Sequence, residues 1–157
     1  MFTIEQINDL HARLGSAKTF TEYVRALKAL GVERYDSYLA DGHSEYFGQG
    51  ARVVSPPVHE VLPVAEASQR ETFLQHLRRH EQRQTTYLEM SRGLAQSGIE
   101  RWIVDTGRMT MTFYDKAGSE MSRNPGTDGT FPIFLVRLNH RPTKLLPHLY
   151  ESRNELS

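Results

Sequence analysis

Two histidines have the spacing of metal ligands on a helix. His76 and His80 stand four residues apart, so on a helix their rings would lie on one face and could share a metal ion. The third ligand would have to come from His59, Glu81 or elsewhere, and no spacing selects it. Because such pairs are common by chance, we expect no metal site, and nothing in the sequence indicates another cofactor.

The chain carries no motif for nucleophilic or phosphate chemistry. It has no cysteine, which excludes thiolate nucleophiles, disulfides and cysteine-based zinc sites. Neither the Gly-x-Ser-x-Gly nucleophile elbow nor a Gly-x-x-x-x-Gly-Lys phosphate loop is present. Asp36, Glu45, Glu60, Asp105 and the histidines could supply a general acid or base, but no spacing distinguishes any of them. For an enzyme, the candidates would be His59, His76, His80 and Asp105. The catalytic residues, if the protein is an enzyme, are therefore unknown from sequence.

Aromatic residues on predicted strands, with polar neighbours, are the best candidates for a ligand site. Aromatic residues at strand positions usually build the core, because their area is large and apolar. We therefore expect Trp102, which lies in the apolar segment 99–104, to be largely buried. If the two halves of the chain are symmetry mates, however, Tyr35 and Trp102 would flank a pocket between them. The predicted ligand-binding residues are Tyr35, Tyr46, His80, Gln82, Trp102 and Asp105.

A pattern of helices and strands positions these residues, and it begins in the first half of the chain. Capping boxes at Thr3 and Thr19 predict the starts of two helices, and Gly31 ends the second one. The strand-like segments that follow are 32–39, 44–47 and a shorter candidate at 52–55.

The second half repeats this order. Ser68 with Glu71 and Thr86 with Glu89 have the form of capping boxes, and Gly98 ends the second helix. After that glycine, Ile-Glu-Arg-Trp matches the Val-Glu-Arg-Tyr that follows the earlier glycine, and the caps and glycines recur at offsets of 65 to 67 residues. We interpret this recurrence as an internal duplication.

The pattern predicts an α+β fold of two pseudo-repeated α-α-β-β units. Their strands would form one mainly antiparallel sheet, with the helices packed on one face. We place a single domain at 1–121, with repeats at about 3–55 and 65–121. Residues 122–157 form a divergent C-terminal tail, in which 131–138 is a candidate edge strand because Pro132 cannot donate to a ladder.

Charge and composition narrow the classes of partner. The 157 residues include nineteen basic and nineteen acidic side chains, whereas domains that bind phosphates usually have a basic excess, so no nucleic-acid partner is expected. The sequence shows neither a secretory signal nor an apolar run of membrane-spanning length, so we expect a cytoplasmic protein with no membrane partner. The oligomeric state would be a monomer or a homodimer.

Several segments together resemble the YbcV-like family, a bacterial domain of unknown function. The resembling segments are 31–35, 44–48, 55–57, 98–105 and 112–118. The resemblance covers about residues 1–121 and implies a prophage-associated setting, in which members are sometimes labelled phage envelope proteins. It implies no established activity. The segment 122–126 departs from the family pattern, so the assignment of a last strand near Glu120 is open.

Because no motif for catalysis stands out, we interpret the chain as an uncharacterised, non-catalytic binding or accessory protein of the cytoplasm. Its ligand would be a small molecule or a protein partner. The alternative is a small cysteine-free enzyme that uses a histidine or aspartate as its acid-base group, in a pocket between the two repeats.

Overall fold

The computed structural model describes residues 1–14 and 20–125, and the elements follow one another in the same order in both halves. The first half contains α1 (Ile4–Leu14), α2 (Phe20–Leu30), β1 (Arg34–Tyr38), β2 (Ser44–Gly48) and β3 (Ala51–Val54). The second half contains α3 (Arg70–Glu81), α4 (Tyr87–Gln96), β4 (Ile99–Asp105), β5 (Thr110–Asp115) and β6 (Glu120–Pro125). The predicted cap at Thr19 and the candidate edge strand 131–138 lie outside the described residues.

Two of the predicted capping boxes are confirmed, and they fix where α1 and α4 begin. The backbone amide of Gln6 donates to Thr3 Oγ1 at 3.2 Å, and the amide of Thr3 donates back to Gln6 Oε1 at 2.9 Å. Thr86 and Glu89 make the same reciprocal pair at the start of α4. Each box satisfies amides that a helix start leaves without partners.

The expected capping box of Ser68 with Glu71 is wrong. The N-cap of α3 is Gln69, and its side chain makes no capping bond. The backbone amide of Gln69 donates to the carbonyl of Ser97 at 2.9 Å, and the backbone of Ser68 packs so closely on Gly98 that a Cβ there would lie 2.6 Å from the Ser68 Cα. Docking of this segment on the end of α4 therefore sets the start of α3, rather than a local cap.

The six strands form one antiparallel sheet in the order β3-β2-β1-β4-β5-β6, which confirms the α+β class. The first strand of each half lies at the centre, where Tyr35 is paired with Val104 and Ser37 with Trp102. Each half has three strands, whereas the predicted α-α-β-β unit has two. Strand β6 crosses the predicted boundary between the domain and the C-terminal tail, which we placed after residue 121. The order of elements is the same in both halves, while the internal duplication stays a prediction.

One face of the sheet and the helices form the hydrophobic core. Alternate strand residues supply aromatic rings to it, and Phe73 of α3 packs on Phe113 with ring centroids 5.1 Å apart. Trp102 packs against the same Phe113 ring at 5.9 Å and is 1% exposed. The prediction that Trp102 is buried is confirmed. Among the described residues, every helix is too short or too polar to cross a membrane.

The opposite face of the sheet is rich in charged and half-buried aromatic side chains, and we call it the polar face. The strand register places on it Arg34, Asp36, Tyr38, Glu45, Phe47, Arg101, Asp105 and Tyr114. Because side chains alternate between the two faces of a strand, these residues are separated from the aromatic core by the thickness of the sheet.

Replacing Trp102 with alanine should destabilise the protein by roughly 3–5 kcal/mol, because a large buried side chain is lost and a cavity is left. Urea unfolding of the full chain measures this change. Val61→Ala is the control, since Val61 is 78% exposed and its truncation should change stability by less than about 0.5 kcal/mol. A loss below about 1 kcal/mol for Trp102→Ala would contradict the packing described for this core.

Candidate ligand-binding site

A buried carboxylate lies at the centre of the polar face. Asp36 is 1% exposed, although its side chain is on the side of the sheet away from the aromatic core. Arg34 Nε donates to Asp36 Oδ1 at 3.1 Å, and a terminal nitrogen of Arg101 donates to Asp36 Oδ2 at 3.3 Å. Burial raises the pKa of Asp36, and the two arginines act against that rise. The two ion pairs explain how a carboxylate is retained at a buried position.

Arg34 is held in place by two contacts. Its Nε is bonded to Asp36, and its guanidinium lies over the Phe47 ring with the central carbon 4.4 Å from the ring centroid. The side chain is still 48% exposed, and within the described part of the chain its two terminal nitrogens make no hydrogen bond. Arg34 therefore presents a fixed and accessible pair of N–H donors.

Arg101 approaches Asp36 from β4. One terminal nitrogen also donates to the Tyr38 hydroxyl at 3.2 Å, and the guanidinium carbon is 5.9 Å and 5.7 Å from the ring centroids of Tyr38 and Tyr114. Its Nε is buried and has no partner among the described residues. Because β1 and β4 belong to different halves, the Asp36–Arg101 bond joins the two halves across the middle of the sheet.

His43 joins two further carboxylates beside this cluster. Its Nδ1 lies 2.5 Å from Asp41 Oδ1, its Nε2 lies 3.0 Å from Glu45 Oε2, and its ring stacks on Tyr38 at 4.5 Å between centroids. Both ring nitrogens face carboxylate oxygens, so both must donate and the imidazole is charged. Burial alone would lower the pKa of His43, but its hydrogen bonds to Asp41 and Glu45 raise it above the ordinary value.

At the centre of the polar face, to which Arg52 of β3 also belongs, the arginine side chains are more exposed than the carboxylates that they bind. The arginine side chains are the more accessible, with Arg34 48%, Arg52 58% and Arg101 30% exposed. The carboxylates beneath them are shielded, with Asp36 at 1% and Glu45 at 14%. The centre of this face therefore presents mostly N–H donors to an approaching molecule, whereas Asp105 at its end is 38% exposed.

A cleft of about 520 Å³ opens at one end of the sheet, next to Arg34. It lies between the end of α2, the start of β1, the β2–β3 turn and the end of β4. Its lining residues are Lys28, Gly31, Val32, Glu33, Arg34, Gln49, Asp105, Thr106 and Gly107. Its volume is in the range of small-molecule sites, and its charged lining consists of two cations and two carboxylates.

The end of α2 shapes one wall of this cleft. Gly31 has φ +111°, its amide donates to the Lys28 carbonyl at 3.0 Å, and the amide of Val32 donates to the Leu27 carbonyl at 2.9 Å. These bonds form a Schellman motif, which requires the positive φ that glycine adopts without strain. The Gln49 side chain lies so close that a Cβ on Gly31 would be 3.0 Å from its amide carbon.

Gln49 itself has a strained backbone. It and Gly50 form the two-residue turn between β2 and β3, with φ +54° and +77°, as in a type I′ hairpin. Glycine or asparagine is preferred at the first position, so glutamine there costs on the order of 1 kcal/mol. The strained position directs its amide to the cleft, where it lies opposite Gly31.

The structure does not bring the six residues predicted for ligand binding into one pocket. Tyr35, Tyr46 and Trp102 are 2%, 5% and 1% exposed, and they belong to the core. His80 is bonded to the Thr85 hydroxyl at the end of α3, and Gln82 is exposed and bonded to Gln84. Asp105 is the member of the set that lines the cleft, on the opposite face of β4 from Trp102.

The residues predicted from sequence for ligand binding did not include Arg34, Asp36 or Arg101. A signal for the two arginines is present, because they occupy the same position in the matching strings Val-Glu-Arg-Tyr and Ile-Glu-Arg-Trp. The role of Asp36 depends on strand pairing, which brings Arg101 to it from 65 residues away. No local pattern contains that information.

The histidine pair on α3 has contacts of its own. The His76 ring packs on Gly93 of α4, where a Cβ would lie 2.4 Å from His76 Nδ1, and burial lowers the pKa of His76. Within residues 1–14 and 20–125, no three histidine or carboxylate side chains are grouped as a metal site would require. The expectation that His76 and His80 bind no metal stays a prediction.

The fold and the cleft define a small α+β domain with a site of ligand size at one end of its sheet. A family model described as "Protein of unknown function (DUF1398)" matches residues 8–124, and the chain belongs to this family. The matched region extends from α1 into β6 and so includes every residue of the cleft. No curated protein matches the chain.

The pH dependence of stability should show the charge on His43. A histidine whose pKa is raised on folding contributes stability that is fully present below its unfolded pKa, and this contribution is lost as pH rises through the folded value. We expect wild-type protein to lose stability more steeply than His43→Gln as the pH rises above about 6.5, in urea unfolding at each pH. Equal losses in the two proteins would show that folding does not raise the pKa of His43.

Proposed function

We propose that this protein is a non-catalytic binding protein, and that a small polar molecule with an anionic group binds in the cleft at Arg34. The observation that carries the proposal is the position of Arg34, which is fixed by Asp36 and Phe47 at a cleft of about 520 Å³ while its terminal nitrogens make no hydrogen bond to described residues. A guanidinium whose two terminal nitrogens are available can donate one N–H from each to the oxygens of a carboxylate or phosphate.

Preorganisation supports a binding role for Arg34. A free arginine loses rotamer entropy when it binds an anion, and this loss weakens the interaction. In this protein Asp36 and Phe47 already hold the side chain, so a ligand at the terminal nitrogens would bind without most of that loss. Lys28 lines the same cleft and adds a second cation for the anionic group.

The contacts of the titratable groups favour binding over catalysis. Both oxygens of Asp36 accept from arginines, which suits a positioning role better than proton transfer. His59 is 2% exposed and His80 is 9% exposed, so a substrate has little access to either ring. The alternative, a small enzyme with a histidine or aspartate as acid-base group, rests on Asp105, which does line the cleft.

The setting of the protein is part of the proposal. The resemblance to the YbcV-like family supports a bacterial, prophage-associated role in the cytoplasm. The ligand would then be a small molecule of the bacterial cytoplasm. The second candidate is a protein partner, which native mass spectrometry would also detect.

Native mass spectrometry of the full chain, purified from its host, tests the proposal. We expect the wild type to retain a small-molecule adduct, and Lys28→Gln and Arg34→Gln to lose it. Arg52→Gln is the matched control, because Arg52 is an exposed arginine of β3 that is not among the residues of the cleft. Wild-type protein without an adduct, or an adduct retained equally by all variants, would contradict the proposal. A bound molecule that is chemically converted would support the enzyme instead.

A further inference from the structure

Two opposite charges face each other in the cleft without neutralising each other. Arg34 and Asp105 are direct cross-strand partners on β1 and β4. The Cβ atoms of such partners are about 4.5–5.5 Å apart, and opposite charges in this arrangement normally attract each other into an ion pair. Arg34 is instead paired with Asp36, and no ion pair joins it to Asp105 among the described residues.

Other contacts hold Asp105 away from Arg34. Its Oδ1 accepts from the backbone amides of Gly107 at 3.0 Å and Arg108 at 2.9 Å in the turn after β4. The nearest cation to its Oδ2 is Arg108 Nε at 4.0 Å, on a side chain that is 78% exposed. An exposed pair at this distance contributes little, so the Oδ2 side of Asp105 is open to a better cation.

The other two charged residues of the lining form no ion pair within the described part of the chain. Lys28, in the last turn of α2, makes no ion pair with the residues that the structure describes. Glu33 Oε1 has one weak contact, with the backbone amide of Gln49 at 3.5 Å. The cleft is thus lined by two cations and two carboxylates, and each of the four has at least one polar atom without a close partner among the described residues.

This balance of charge selects among ligands. Phosphate and other multiply charged anions would be attracted by Arg34 and Lys28 but repelled by Glu33 and Asp105. A simple carboxylate would leave both acidic groups without a partner. A molecule with an ammonium and a carboxylate on neighbouring atoms would satisfy both kinds of charge, and its two groups can reach partners on strands that lie about 4.8 Å apart.

We infer that the ligand of the cleft is a small zwitterion of the α-amino acid class. Its carboxylate binds Arg34 and Lys28, and its ammonium binds Asp105 and Glu33. The cleft of about 520 Å³ leaves room for a side chain, which would lie near the amide of Gln49. This inference rests on the proposed function, since it names the class of molecule that occupies the same cleft.

Calorimetric titration of the full chain with each of the twenty common amino acids tests the inference. Every amino acid that binds is compared with its N-acetyl derivative, which lacks the ammonium, and with its amide, which lacks the carboxylate. We expect at least one amino acid to bind, with affinity at least about tenfold above that of either derivative. Inorganic phosphate, titrated in the same way, should bind more weakly than that amino acid.

Asp105→Asn provides the sharper comparison, because asparagine keeps an oxygen that can accept from the turn amides. This variant should lose about tenfold in affinity for the amino acid and nothing for its N-acetyl derivative. Glu66→Gln is the control for loss of an acidic charge, since Glu66 is 87% exposed and is not among the residues of the cleft. It should bind the amino acid as the wild type does.

The outcomes separate this inference from the proposed function. Three outcomes would each overturn the inference that the ligand is a zwitterion: equal affinity for the amino acid and its N-acetyl derivative, binding of phosphate alone, or binding of no amino acid. An adduct in native mass spectrometry that depends on Arg34 would still support a binding protein in those cases. Absence of both the adduct and any amino-acid binding would overturn the proposed function as well.

Discussion

The buried carboxylate of Asp36 is the interaction on which the polar face depends. An ionised carboxylate out of water costs several kcal/mol unless hydrogen-bonded cations replace its hydration. Arg34 and Arg101 provide that replacement, and each is also oriented by an aromatic ring of the same face. Removal of one partner would leave a charge uncompensated, so the cluster holds its members together more strongly than an exposed ion pair would.

The position of this cluster gives it two roles at once. Asp36 lies on β1 at the junction of the two halves, so its bond to Arg101 strengthens the central pairing of the sheet. Its bond to Arg34 fixes a guanidinium at the edge of the cleft. A residue that stabilises the fold thereby also positions the group that we propose for ligand binding.

The two halves contain the matching strings Val-Glu-Arg-Tyr and Ile-Glu-Arg-Trp, but the residues that follow these strings differ. Arg34 and Arg101 occupy the same position in it, and both donate to Asp36. The position that corresponds to Asp36 in the second half is Ile103, which is also the direct cross-strand partner of Asp36. The cross-strand partner of Asp36 on its other side, on β2, is the carboxylate Glu45, so another carboxylate at position 103 would add to the repulsion that Asp36 already meets. The site is therefore asymmetric although the order of elements is repeated.

Local signals in the sequence predicted much of the fold. The boxes at Thr3 and Thr86 set helix starts through contacts three residues apart, and the position of Trp102 in the apolar segment 99–104 identified it as buried. The box at Ser68 failed because a contact with the end of α4, made by residues far along the chain, overrides the local preference. Long-range packing of this kind has no signature within a short window.

The candidate site was harder to predict for the same reason. Charged residues that alternate along a strand have the pattern of a solvated face, and only the register of β1 with β4 places Arg101 over Asp36. The aromatic residues gave the opposite difficulty. Tyr35 and Trp102 each combine an apolar ring with a polar group, so either could line a pocket or fill a core. Because their side chains lie on the face of the sheet that packs against the helices, both are part of the core.

A double-mutant cycle between Asp36 and Arg34 tests most directly whether the buried carboxylate holds the arginine. The free energy of unfolding would be measured by urea for the wild type, Asp36→Asn, Arg34→Gln and the double variant. The account predicts that the two substitutions are not additive, with a coupling of about 1–3 kcal/mol. Additivity within about 0.5 kcal/mol would show that Asp36 does not fix Arg34, and would contradict the account.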